Sequence, residues 1–138
     1  MIRKNKRFFL QKKEKMSADQ IAEQFLNHYY STFQTNRPGL AALYQQDSTM
    51  TFEGEMFTGQ QAIAGKFQAL PFQSIQFQVV TKDIQMGINQ NCLLIFVNGT
   101  LRIDNEANNL KFSQMFQLVS SGGTNFYVRN DMFRINVG

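Results

Sequence analysis

The sequence predicts an α+β domain, a strongly bent antiparallel sheet with helices packed in its concavity. Three observations predict it. Apolar residues recur at helical spacing only in the first half of the chain, between Ile21 and Leu70. From Ser74 onward they alternate in long runs separated by Asn- and Gly-rich turns. The two prolines, Pro38 and Pro71, fall where the helical patterns stop. The chain has 138 residues, the length of one domain with one substantial core, and packing of that core accounts for its 14 Phe.

Residues 1–16 carry Arg3, Lys4, Lys6, Arg7, Lys12, Lys13 and Lys15 against Glu14 alone. That composition reads as a flexible basic extension ahead of a folded domain over 17–138. The net charge of +4 therefore belongs to the extension, and the rest is mildly acidic, with seven Lys/Arg against nine Asp/Glu. Nucleic-acid and membrane partners are not expected of such a domain. Nor is there an apolar run of about 18 residues to cross a bilayer.

Ser17-Ala18-Asp19-Gln20 has the form of a capping box, and Ile21, Phe25, Tyr29 and Phe33, flanked by Ala22, Leu26 and Tyr30, extend a helix from it for about four turns. Asn36 to Gly39 breaks that helix. A short helix over Leu40 to Tyr44 follows, and Asp47-Ser48 closes the helical region. Thr49 to Thr58 alternates around Glu53-Gly54, as in a strand pair or a bulged hairpin. Ala62, Ile63, Lys66, Phe67 and Leu70 give a further helix after Thr58-Gly59, stopped by Pro71.

Four strands are then expected: Ser74 to Ile84, the run from Cys92, Leu110 to Ser120, and Phe126 to Val137. Turns are placed at 86–91, Asn108-Asn109 and Ser121–Thr124. The Cys92 run organises the chain. No charged residue stands between Ile84 and Leu101, so it reads as a buried strand, and its far end turns acidic at Asp104 and Glu106. In an extended chain these two carboxylates share a face, roughly 7 Å apart, at the rim of whatever the strand lines.

Most site chemistries are excluded. The chain has one histidine, His28, and one cysteine, Cys92, too few for a zinc site, a Ser-His-Asp array or an internal disulfide. His28 is expected to be a hydrogen-bonded structural residue and Cys92 a small buried hydrophobe. No phosphate-binding glycine motif is present and no cofactor is implied. Acid–base work would have to rest on Glu53, Asp104, Glu106 or Asp131.

From Ser17 onward the chain resembles the nuclear transport factor 2 family. The resemblance is carried by His28-Tyr29-Tyr30, Leu43-Tyr44, Thr51-Phe52-Glu53-Gly54 and Phe57-Thr58-Gly59. It continues in Leu70-Pro71-Phe72-Gln73-Ser74-Ile75-Gln76, Phe112-Ser113-Gln114-Met115-Phe116 and Asn130-Asp131-Met132-Phe133-Arg134. It implies a cone-shaped fold and a homodimer that is not an enzyme. The dimer would carry Ran in its GDP form into the nucleus, crossing the pore on Phe-x-Phe-Gly nucleoporins and so occupying cytoplasm, nucleus and pore. Matching positions make Glu53, Asp104 and Glu106 the Ran-binding rim. They make Phe52, Leu70, Ile75, Leu101, Ile103, Leu110, Met132 and Phe133 the wall of the cavity that receives an aromatic of Ran.

Four positions depart from the family pattern. Asn105 stands for the middle acid of a triplet, Phe77 for a cavity histidine, Ala18 for an N-terminal aromatic and Gln34 for an aspartate late in the first helix. The last two imply a weakened or altered nucleoporin contact. The alternative is a small-molecule binder or enzyme using the same cavity, which would bury Asp104 and Glu106 deep inside it.

Overall fold

The computed structural model describes residues 16–123 and 125–136, so the expected extension lies outside the described residues except for Met16. Helix α1, Ala18–Thr35, starts at the capping box: Gln20 N donates to Ser17 Oγ at 3.1 Å and Ser17 N to Gln20 Oε1 at 3.0 Å. It buries Ala22, Leu26, Tyr29, Tyr30 and Phe33. Ile21 and Phe25 lie at the flank of that stripe, half-buried. His28 is exposed rather than structural.

The short helix expected over Leu40 to Tyr44 is a 3₁₀ helix that starts earlier, Arg37–Leu43, with Pro38 in its first turn. Strand β1, Tyr44–Phe52, absorbs the Asp47-Ser48 pair that was expected to end the helical region. It can do so because the Ser48 hydroxyl donates to Val128 O and accepts from Gln45 N at 2.8 Å, satisfying the backbone where the β1 register shifts. β2, Glu55–Thr58, returns through a two-residue turn at Glu53 and Gly54, whose φ angles of 54° and 86° are those of a type I′ hairpin. Helix α2, Gln60–Ala69, buries Ile63 and Phe67 and ends at Leu70, held extended (ψ 131°) by Pro71.

Four long strands complete the chain: β3 Ile75–Met86, β4 Cys92–Ile103, β5 Leu110–Gly122 and β6 Asn125–Asn136. The sheet order is β2-β1-β6-β5-β4-β3. The expected all-antiparallel sheet is corrected at one place: β1 pairs parallel with β6, so the sheet is mixed. A sequence pattern gives a strand its faces but not its direction, and the four strands between β1 and β6 in the chain supply the long connection a parallel pair needs.

Bulges bend the sheet around the helices. Val80 interrupts the β3–β4 register and Arg129 the β5–β6 register. The β3 bulge also returns Ile84 to the same face as Ile75, Phe77 and Val79. Beside it Gly99 is obligatory, because a Cβ there would meet Gln78 O at 2.1 Å and Phe112 Cε1 at 2.9 Å. The core lies between this concave face and α1 and α2. Phe116 is completely buried there, with the rings of Phe25 and Tyr29 edge-on to it at 4.9 and 4.8 Å.

The Cys92 run is a strand, as expected, but only one of its faces is buried. Leu93, Ile95, Val97 and Leu101 point into the core, whereas Cys92 and Leu94 are half-buried on the outer face and Phe96 is 43% exposed. Cys92 is thus not the fully buried residue expected. The sequon Asn98-Gly99-Thr100 lies in mid-strand, with Asn98 Oδ1 accepting from Ser113 Oγ at 2.6 Å.

Candidate functional site

One end of the sheet gathers the residues that the sequence marked. β1, β4 and β6 end there, and β3 and β5 begin there. On the inner face at this end Ile75 pairs with Ile103, Leu101 with Leu110, and Phe52 with Phe133. The rings of Phe52 and Phe133 stack at 4.8 Å, and Phe112 continues the stack at 5.6 Å from Phe133. Leu70, Ile75, Leu101 and Phe133 are buried, Phe52 and Ile103 half-buried, and Leu110 is exposed at the mouth. The result is an apolar inner wall whose outermost residues meet solvent.

Met132 does not belong to that wall. Neighbours along a strand face opposite ways, so with Phe133 inward Met132 points out, 47% exposed, across from Met115.

The three predicted carboxylates stand beyond strand ends at this same rim, all exposed: Glu53 after β1, Asp104 and Glu106 after β4. Asp104 and Glu106 are not on an extended segment, however. Asp104 and Asn105, with φ of 49° and 59°, form a tight turn closed by Glu106 N donating to Ile103 O at 2.9 Å. The turn falls here rather than at Asn108-Asn109 because Asp and Asn tolerate the left-handed conformation. Asn105, which breaks the acidic triplet, therefore has a local backbone reason.

Two of the three acids are also structural. Asp104 Oδ1 accepts from Gln73 N and Ser74 N, both at 2.9 Å, and Asp104 N donates to Ser74 O at 3.0 Å. This ties the β4–β5 turn to the loop that carries Leu70 and Phe72. Glu53 Oε1 accepts from Ile135 N, while Glu53 N donates to Phe133 O at 3.0 Å. Glu106 has no side-chain hydrogen bond or ion pair among the described residues.

Three features of this region were not recognised from the sequence. Lys66 on α2 reaches over the rings of Phe52 and Phe57 at 5.4 and 5.5 Å and pairs with Glu55 at 3.4 Å. Arg37 lies over Phe72 at 4.5 Å and donates from Nη2 to Phe72 O at 3.2 Å, clamping the same loop from behind. On that far side a cleft of about 500 Å³ is lined by Phe33, Gln34, Phe67, Leu70, Phe72 and Gln73, among others. Gln34 is committed there, its Oε1 accepting from Phe77 N on the β3 edge at 2.8 Å.

The third feature is a polar network buried behind the aromatic stack. Asp131, 1% exposed, accepts from Tyr44 Oη at 2.6 Å and from Gln114 Nε2 at 2.8 Å. Gln114 also donates to Tyr29 Oη at 3.2 Å and accepts from Tyr30 Oη at 2.7 Å. Burial raises the Asp131 carboxyl to about 6, opposed by the hydrogen bonds from Gln114, Tyr44 and Tyr29. The Tyr29, Tyr30 and Tyr44 hydroxyls are raised well above the usual phenol range, first by burial and then by neighbouring charge, Asp131 among it. One signal was available: alternation along Phe112, Gln114 and Phe116 puts a glutamine at an inward position.

No group of three His, Cys, Asp or Glu among the described residues could hold a metal, and no described helix is long and apolar enough to cross a membrane.

The nuclear transport factor 2 (NTF2) domain family matches residues 21–135. A nuclear transport factor 2 of Oryza sativa subsp. japonica is 53% identical over 123 residues, 89% of this chain and 100% of that one. Nuclear transport factor 2B of Arabidopsis thaliana is 46% identical over 88% of this chain and 96% of its own. The solved structure of nuclear transport factor 2 from Cryptosporidium parvum is similar with a TM-score of 0.82 at 47% identity, covering 86% of this chain and 94% of that one. A putative scytalone dehydratase from Novosphingobium aromaticivorans, at 16% identity and a TM-score of 0.71 over 84% and 82% of the two chains, shares the fold alone.

Proposed function

The chain belongs to the nuclear transport factor 2 family and is a nuclear import carrier, and on that premise we propose that it binds Ran in its GDP form at the carboxylate-rimmed end of the sheet. The observation that carries this reading is the convergence of Glu53, Asp104 and Glu106, exposed beyond two strand ends, on one apolar inner wall. An aromatic side chain of the partner enters between Phe52, Phe133, Leu101, Ile103 and Leu110, and basic groups of the partner meet the rim. Burying about 150–250 Å² of aromatic surface gives roughly 4–6 kcal/mol gross, much of it offset by lost translational and rotational freedom. The rim charges supply specificity and association rate. Their exposure gives no desolvated acid for proton transfer, which supports a binding role over an enzymatic one.

Calorimetric titration of the chain with Ran loaded with GDP, and then with a GTP analogue, tests the proposal. Binding of the GDP form alone is expected, because only the partner's switch changes between the two. Binding of neither form would overturn it. Contact with Phe-x-Phe-Gly nucleoporins completes the carrier role, in weakened form: Ala18 offers no ring and the Gln34 side chain is engaged by Phe77.

The outer face of the sheet supports the homodimer reading. Phe96, Met115 and Met132 are successive cross-strand neighbours on β4, β5 and β6, and Met56 on β2 extends the row beyond Thr51. Phe96, Met132 and Met56 are 43%, 47% and 69% exposed. The row is flanked by polar pairs, Ser113 with Asn98 on one side and Gln117 with Asn130 on the other. An apolar band with a polar margin has the anatomy of an interface. A second copy placed on it would bury the outer half of the Cys92 run. The wild-type chain is expected to sediment as a dimer and Phe96→Asp/Met132→Asp as a folded monomer. A wild-type monomer, or a double variant that stays dimeric, would reject this face.

A further inference from the structure

The network of Asp131, Gln114, Tyr29, Tyr30 and Tyr44 takes no part in the proposed binding site, yet it occupies the middle of the core. Its central carboxylate has no cation. Every group that faces it is neutral: Tyr29 and Tyr30 from α1, Tyr44 from β1 and Gln114 from β5. α2 packs beside this region with Ile63 and Phe67, which are apolar. None of the ion pairs among the described residues includes Asp131. An isolated buried charge is costly even when hydrogen-bonded, whereas a protonated carboxyl in the same place is not.

We propose that this network is a proton-responsive element of the fold, in which uptake of one proton at Asp131 tightens the sheet behind the aromatic stack and its release loosens it. The register makes the coupling local. Gln114 lies directly across from Phe133, and Asp131 and Phe133 are two residues apart on the inner face of β6, each paired with the matching residue of β1, Met50 and Phe52. Protonation lets Asp131 donate as well as accept, removes the uncompensated charge and leaves Tyr44 an acceptor oxygen.

The direction follows from the folded and unfolded affinities for the proton. The carboxyl is raised from 3.8 to about 6 in the folded state, so the folded chain holds the proton more tightly than the unfolded chain. The contribution is fully present below about 3.8, is lost as pH rises from there through about 6, and is constant above that. Across this window the folded-to-unfolded ratio is expected to fall on the order of 100-fold on account of Asp131. The other carboxylates are common to the two chains compared below and cancel in their difference, and the exposed His28 on α1 is removed from both.

Urea unfolding of the full chain and of Asp131→Asn, both carrying His28→Gln, over about pH 4 to 7.5 isolates the effect. The difference in stability between them should change on the order of 100-fold in equilibrium constant across the window. Parallel pH profiles would overturn the proposal. Should the asparagine variant fail to fold, the wild-type Asp131 carboxyl carbon, followed by NMR, decides alone. A midpoint near 6 sustains the proposal, and one at or below the ordinary carboxylate value overturns it.

Discussion

Glu106→Lys is expected to weaken Ran-GDP binding by about 30-fold or more, roughly 2 kcal/mol, with no measurable loss of stability. Glu106 is the rim carboxylate that can be reversed cleanly, because its side chain is exposed and holds nothing else among the described residues. Asp104 and Glu53 cannot. Removing the Asp104 carboxylate frees the N–H groups of Gln73 and Ser74 and so loosens the loop bearing Leu70. Glu53→Lys is expected to lose binding as well, but it also leaves Ile135 N without its acceptor, at about 1 kcal/mol of stability. Calorimetric affinity and thermal unfolding measured on Glu106→Lys and Glu53→Lys together separate the two roles. An unchanged dissociation constant in Glu106→Lys would remove that carboxylate from the site.

Gln114→Leu is expected to cost about 3–5 kcal/mol of stability near neutral pH, a large part of the 5–15 kcal/mol typical of a domain. Leucine fills the same volume, so the loss is polar. Asp131 loses the Nε2 donor, Tyr30 Oη loses its acceptor and Tyr29 Oη its donor. The cost has a pH signature. With one donor gone the carboxylate is less tolerable, so the penalty should be larger at pH above 6 than below it, where Asp131 is protonated. Chemical denaturation on either side of that value measures both numbers. A penalty under about 1 kcal/mol would mean that the network is bypassed by rearrangement.

Part of the proposed site was legible because it sits where strands stop. Glu53-Gly54 announces a hairpin, and the acids after Ile103 follow an abrupt end to an uncharged run, so pattern put Asp104 and Glu106 at a rim, whereas Glu53 joined them only through the family resemblance. The error at Met132 came from treating a contiguous motif as one surface, when a strand necessarily divides it between two faces. The same alternation would have shown that Gln114 and Asp131 face inward. That each finds the other could not be read, since it depends on the register of β5 against β6 and on a bulge at Arg129.

The sequence by itself determined the elements and their faces: the capped first helix, the helix stopped by Pro71, the long strands and the acidic ends. These follow from local rules of periodicity, capping and turn conformation, which act over a few residues. Only the tertiary structure decided three things: that β1 runs parallel to β6, that the two carboxylate-bearing turns meet at one rim, and that an aspartate lies uncompensated among three tyrosines. Each depends on segments 50 or more residues apart, as in the bond from Tyr44 to Asp131, 87 residues apart. No local preference specifies such a pairing. It is selected by the burial of the whole inner face at once.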